Sequence, residues 1–225
     1  GMFAFGLWDK KKNKLLLVRD RIGEKPLYYC IINGVFSFAS EIKALLHVPG
    51  ITLDIDSEAV SCLMIYASIP SPLTIFKDIR SLPPASMLIW EKGQITQKRY
   101  WKLDFQARQE KWRWENAIEE YNNLLRQSVK ACYKADVPVG VFLSGGVDSS
   151  SIAIQAKMVH KDLVTFCMGR DEFDKPDPEL QRAQEVATIL QSSHNKIQFQ
   201  PLDITILPEI ICQYDQPFNV FPMLY

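Results

Sequence analysis

Nowhere in this sequence does a run of lysine and arginine reach five residues, and its 26 basic side chains are balanced by 26 acidic ones. The charge therefore points to neither a nucleic-acid partner nor an anionic membrane. Apolar runs are short as well, none approaching the ~20 residues of a membrane span. Cysteine is scarce and scattered: Cys30, Cys62, Cys132, Cys167 and Cys212 are odd in number, far apart and form no CxxC pair. That argues against a disulfide framework or a zinc site, and for core packing in a reducing compartment. The opening "GMFAFGLWDKKK" puts its charges after the apolar run, the reverse of a secretory signal, so a cytoplasmic protein is expected.

The 225 residues suffice for one large domain or two small ones, and 47% of them are hydrophobic. The first hundred read as hairpins. "MFAFGLWD" and "LLLVRD" flank a charged turn, "RIGEKP" is a second turn, and "LYYCII" and "VFSFAS" flank Asn33-Gly34, which suits a type I′ turn. A short helix follows over "SEIKALLHV" with Ser40 as its N-cap, and a second begins at Asp56 or Ser57. "SMLIWEKGQITQKRYW" forms another hairpin around Gly93. This half is antiparallel.

The period then changes. "QARQEKWRWE" is a polar connector whose tryptophans anchor it to a neighbour. Beyond it Ile118, Tyr121, Leu125, Val129 and Cys132 recur at helical spacing. Strand and helix alternate from "VPVGVFL" to "ITILPEIICQY", which predicts a parallel sheet covered by helices. The boundary between the halves falls near residue 106, and there is no internal repeat.

Between the strand "VPVGVFL" and the helix after it lies "SGGVDSS". In an open α/β sheet this is where ligands bind. Gly145 and Gly146 let an anion approach main-chain N–H groups, at the positive end of the next helix. Ser144 and Ser149 add hydroxyl donors. Asp148 belongs beside a phosphate only if a hard cation lies between them, and Mg²⁺ held by a carboxylate and substrate phosphates meets that need. The segment is not a Walker A loop, because Gly146 and Val147 stand where Lys and Ser/Thr are required, nor a GxSxG elbow, because Phe142 replaces its first glycine. An ordinary strand-to-helix turn, with Asp148 as a cap, is the plainer alternative.

"SGGVDSS" resembles the pyrophosphate-binding loop of ATP pyrophosphatases. With "VPVGVFLSGGVDSS", "TFCMG" and "DPELQRAQEVA", the second half is similar to the synthetase domain of glutamine-hydrolysing asparagine synthetases. "GMFAFGLWD", "RDRIGEKPLYY", "FASEIKALL", "SPLTIFKDIRSLPPAS" and "RYW" resemble the later part of that family's glutaminase domain. The resemblance implies an α/β protein. Residues 1–105 would be an antiparallel α+β piece of an N-terminal-nucleophile glutaminase. Residues 106–225 would be part of a parallel-sheet ATP pyrophosphatase (adenine-nucleotide α-hydrolase-like) domain. It further implies that Ser144, Gly145, Gly146, Asp148 and Ser149 hold the ATP phosphates, with Asp148 on Mg²⁺, and that Phe142, Leu143 and Met168 bracket the base or ribose. For Leu143, core packing is an equal alternative. Arg19 and Asp20 are read as a salt bridge.

The activity implied is amidation of a carboxylate, aspartate first among acceptors. ATP forms an acyl-adenylate with release of pyrophosphate, and ammonia from glutamine then displaces AMP. A homodimer is compatible with the resemblance. The family's N-terminal catalytic cysteine, its second metal carboxylate and its catalytic lysine have no counterpart here, so no catalytic residue is assigned, and a chain truncated at both ends is expected. Two other readings stay open: an amidotransferase acting on a different acceptor, and a shortened product that binds a nucleotide or a partner without turnover.

Overall fold

The computed structural model describes residues 1–105, 113–169, 177–198 and 204–217. In chain order the elements are β1 (Ala4–Asp9), β2 (Lys14–Arg19), β3 (Tyr28–Ile32), β4 (Val35–Ala39), α1 (Ile42–Leu45), α2 (Ser57–Tyr66), β5 (Ile79–Ser81), β6 (Ser86–Glu91) and β7 (Gln94–Arg99). They continue with α3 (Trp114–Cys132), β8 (Gly140–Phe142), α4 (Val147–Val159), β9 (Val164–Gly169), α5 (Pro178–Ile189), β10 (Ser193–Gln198) and α6 (Leu207–Tyr214). The described residues divide into two compact units, one within Gly1–Gln106 and Asp203–Pro222, the other within Ala107–Leu202. The expected junction at residue 106 lies outside the described residues.

The first unit is antiparallel, in two sheets ordered β1-β2-β6-β7 and β4-β3-β5. Both short hairpins turn as their sequences require. Asn33-Gly34 and Lys92-Gly93 all have positive φ, the condition for a type I′ turn. Leu15, Leu17 and Leu88 from the first sheet meet Leu27 and Leu82, with Tyr29 and Phe36 of the second sheet packed against them. Phe36 stacks on both Tyr29 and Trp90, with ring centroids 5.6 and 5.3 Å apart. Strand alternation sends Cys30 to the opposite face of β3, where it packs with Ile42 and Leu45 of α1 and with Ile79. α2 starts as expected, Asp56 accepting from the Glu58 and Ala59 amides.

Arg19 and Asp20 do not form the expected salt bridge; each turns to the backbone. Asp20, 2% exposed, takes N–H groups from Ile22, Gly23 and Glu24 on one oxygen and from Phe3 and Lys25 on the other. Arg19 donates to the Gly23, Lys25 and Leu82 carbonyls and to Ser81 Oγ. Together they wrap the turn after β2 around opposite charges that cannot leave it. The reason is the buried amides of a tight loop, which need acceptors more than two side chains on one strand need each other.

In the second unit β8, β9 and β10 form a parallel sheet ordered β10-β9-β8. Ala153 and Ala156 of α4, and Ala183 and Ala187 of α5, are fully buried against Leu143, Leu163, Cys167 and Leu180. Alanine at these positions lets the helices lie close to the strands. Several expectations need correction here. Only Val129 of the α3 stripe is buried, whereas Ile118 and Tyr121 are exposed. Trp114 is 75% exposed and joins no core cluster of the described residues, while Trp112 lies outside them. Core packing holds for Cys30 and Cys167; Cys62 is partly buried, and Cys132 and Cys212 are exposed. No described helix is long and apolar enough to cross a membrane.

The Asp20 knot gives a prediction. Burial alone would raise its carboxyl, but the Lys25, Glu24, Gly23 and Ile22 amides outweigh that and hold it at about 2, below the ordinary 3.8. The knot's contribution is therefore complete above about pH 4 and is lost as pH falls from there through 2. Asp20→Asn should cost roughly 1.5–3 kcal/mol at neutral pH, because an amide NH₂ replaces an acceptor oxygen. Urea midpoints at pH 7, 4 and 2.5 would show the gap between wild type and variant closing at the lowest pH.

Candidate functional site

The turn joining β8 to α4 is built by one close approach. Gly145 has φ +74°, and a Cβ there would lie 2.5 Å from Arg182 Cβ, 2.6 Å from the Arg182 carbonyl carbon and 2.7 Å from the Ala183 nitrogen. The backbone of α5 thus occupies the space where a side chain would stand. Gly145 is required by this contact, and its left-handed backbone is one that other residues rarely adopt. Gly146 is the open one: its φ is −73°, and the nearest atom to an added Cβ is Ser144 Oγ at 3.5 Å. It is also the N-cap residue of α4, with no side-chain cap bond, so Asp148 is not the cap.

The two serines close the loop on itself. Ser149 Oγ accepts from the Ser144 amide at 3.2 Å, donates to the Gly146 carbonyl at 3.3 Å and lies within hydrogen-bonding distance of Ser144 Oγ at 3.0 Å. Ser144 Oγ in turn accepts from the Gly146 amide, at a long 3.4 Å. These bonds shape the loop without consuming α4's first amides. Asp148 is exposed in the first turn of the helix.

Beside the turn lies a cleft of about 260 Å³ lined by Phe142, Leu143, Ser144, Ser149, Phe166, Cys167, Met168 and Glu179. Five of the sequence-predicted residues therefore meet: Phe142, Leu143, Ser144, Ser149 and Met168. Gly145, Gly146 and Asp148 are not among its walls. Phe142 is 72% and Met168 43% exposed, giving flat apolar surface at two strand ends. Leu143 is 1% exposed and belongs to the core, its amide donating to the Phe166 carbonyl at 2.7 Å. Its packing role holds although it also borders the cleft.

Phe166, Cys167 and Glu179 were not foreseen. The first two share "TFCMG" with Met168 and are neighbours once the parallel register is set. For Glu179 the sequence offers only an acidic residue beside a helix-starting proline. Its carboxylate, with that of Asp177, adds to the effect of burial in pushing the Cys167 thiol up. A larger cavity of about 470 Å³ opens on the α3 side of β8, but Leu125, Val129, Val139, Val141 and Ile152 dominate it and no Lys, Arg, Asp or Glu lines it. It offers nothing to a phosphate. In the first unit Cys30 is 1% exposed, and burial, then Asp78, pushes its thiol up, the setting of a structural rather than a reactive cysteine.

Comparison with known proteins finds one family match in each half of the sequence. Residues 1–101 match the family described as a glutamine amidotransferase domain, and residues 120–221 match asparagine synthase. The chain belongs to the glutamine-hydrolysing asparagine synthetase family. It is 36% identical to asparagine synthetase [glutamine-hydrolyzing] 1 of Bacillus subtilis over 96% of this chain and 34% of that protein. It is 34% identical to a putative asparagine synthetase [glutamine-hydrolyzing] 2 of Methanocaldococcus jannaschii over 97% of this chain and 43% of that protein. The chain therefore spans between a third and a half of the length of these relatives. An NH3-dependent NAD synthetase from Campylobacter jejuni aligns over 49% of this chain and 45% of its own, at 22% identity and a TM-score of 0.30, too low to carry an argument.

The two glycines should separate cleanly on mutation. Gly145→Ala combines left-handed backbone with a clash against a helix, and should destabilise the second unit by at least about 2 kcal/mol. Gly146→Ala meets neither obstacle and should change stability by less than about 0.5 kcal/mol. Thermal denaturation of both variants checks this, and equal losses would contradict the geometry.

Proposed function

We propose that the protein is an ATP-dependent, glutamine-dependent amidotransferase that makes asparagine from aspartate. On this reading residues 1–105 belong to a glutaminase of the N-terminal-nucleophile type, and residues 106–225 to an ATP pyrophosphatase domain. The observation that carries it is the open backbone of Gly146 at the start of α4, with an apolar cleft beside it and a carboxylate one turn away. A nucleotide needs those three surfaces: N–H donors and a helix N-terminus for phosphate, flat apolar walls for a base, and oxygen for a cation.

The reaction follows from these placements. The aspartate side-chain carboxylate attacks the α-phosphorus of ATP, and the bond to pyrophosphate breaks. The amides at Gly146 and α4, with the Ser144 and Ser149 hydroxyls, receive the charge that gathers on the leaving pyrophosphate. Phe142 and Met168 cover the base and exclude water from the acyl-adenylate. Ammonia then attacks the acyl carbon, the bond to AMP breaks, and asparagine leaves. Ammonia's supply from glutamine is the task of the first unit.

The donors present suit Mg²⁺ better than a transition metal. Asp148 supplies hard oxygen, and among the described residues no group of three or more His, Cys, Asp or Glu could hold a metal by itself. Asp148 would hold the ion together with the phosphates, and the ion would supply neutralisation of pyrophosphate charge.

In the full-length protein, Asp148→Ala should cut ATP–pyrophosphate exchange roughly ten- to a hundredfold, the worth of a charge-assisted contact of about 1.5–3 kcal/mol. The assay is run with aspartate and, separately, with other carboxylates. Unchanged exchange in the variant would remove Asp148 from the site. Exchange with another acid but not with aspartate would keep the chemistry and change the acceptor.

A further inference from the structure

The sequence match to asparagine synthase runs through residue 221, yet the described residues 204–217 pack in the first, amidotransferase unit. Their anchor is Asp215. One carboxylate oxygen accepts from the Ile42 amide at 2.8 Å and the other from the Lys43 amide at 3.2 Å. Lys43 Nζ lies 3.6 Å from the same carboxylate and donates to the Cys212 carbonyl at 3.1 Å. The Asp215 side chain is 7% exposed, and its backbone is left-handed at φ +66°, ending α6.

α1 explains why such a contact exists. Its N-cap residue, Glu41, makes no side-chain cap bond, so the first amides of α1 lack a local acceptor. The acceptor arrives from 173 residues away. The expected local cap, Ser40, is not used. A nearly buried carboxylate with two N–H donors and an ammonium is a contact that does not slide: moving α6 would orphan two amides and strand a charge.

In sequence this anchor follows β10, the edge strand of the sheet that carries the cleft. We propose that Asp215 is a positioning residue that fastens the segment following the nucleotide-binding sheet onto the amidotransferase unit, so that release of ammonia from glutamine stays in step with use of ATP. This rests on the function proposed above. Asp215 touches no reacting atom; it acts by holding α1 and α6 together.

The test uses the full-length protein and three variants: Asp215→Ala, Asp215→Asn and Lys43→Met. Amide formation is measured with glutamine and with ammonium chloride, alongside hydrogen exchange at the Ile42 and Lys43 amides. In Asp215→Ala, amide formed per glutamine hydrolysed should fall by about fivefold or more, ammonium-driven synthesis should stay within about twofold, and exchange at both amides should quicken roughly tenfold. Lys43→Met, which leaves both amide bonds in place, should stay within about twofold of wild type in all three measurements. If the alanine variant does not fold, Asp215→Asn, which keeps one acceptor oxygen, should show the same selective loss at about twofold or more. Equal losses with both nitrogen sources, or unchanged exchange, would overturn the proposal. A wild-type protein that makes no amide from either source would refute the functional reading instead, and exchange at residues 42 and 43 would then decide the clamp alone.

Discussion

The geometry of the second unit depends on the contact between Gly145 and the backbone of α5 at Arg182 and Ala183. A helix can pass that close to a loop only where the loop has no side chain, and the loop can turn back toward its own helix only through a left-handed residue. One glycine meets both demands. With the turn fixed, Ser144 and Ser149 come within hydrogen-bonding distance, and α4 starts directly after its N-cap residue, Gly146. The same contact brings α5 alongside, which puts Glu179 on the cleft. Gly169 repeats the device at the end of β9: a Cβ there would meet Asp177 and Leu180, so α5 is seated against bare backbone at two points.

The first unit solves a different problem, that of amides in irregular segments, with carboxylates. Asp20 gathers four N–H groups from its own loop and a fifth from Phe3, Asp56 caps α2 locally, and Asp215 caps α1 from the far end of the chain. Each replaces water as the acceptor for a group that folding has dried. They differ in sequence distance, and that difference separates local stability from long-range order. Loss of Asp56 would disturb a helix start, whereas loss of Asp215 would disturb how two distant parts of the chain are tied.

Much of this was legible beforehand. The two Xaa-Gly hairpin turns, the α2 cap, the change from antiparallel to alternating strand and helix, and the strand–loop–helix around residue 144 all rest on local signals: positive φ, a capping oxygen, a repeating period. The family followed from motifs in both halves. Where an expectation failed, either another backbone partner had taken the side chain or the side chain was left exposed. Ser40 yielded to Asp215, and the Arg19–Asp20 pair yielded to loop amides. β5 was missed because three residues, Ile79–Ser81, show no period of their own and become a strand only by pairing with β3.

Sequence alone determined the kinds and order of the elements apart from β5, and the chemical character of the turn at 144–149, since backbone preference and side-chain period act over a few residues. Tertiary structure decided which atoms of that turn remain available. It turned Gly145 inward and left Gly146 open, packed Leu143 into the core while exposing Phe142 beside it, and added Phe166 and Glu179 to the cleft. It also assigned residues 204–217 to the first unit. Availability and partnership depend on what else occupies the same space, and a linear sequence carries no record of that until the chain has closed on itself.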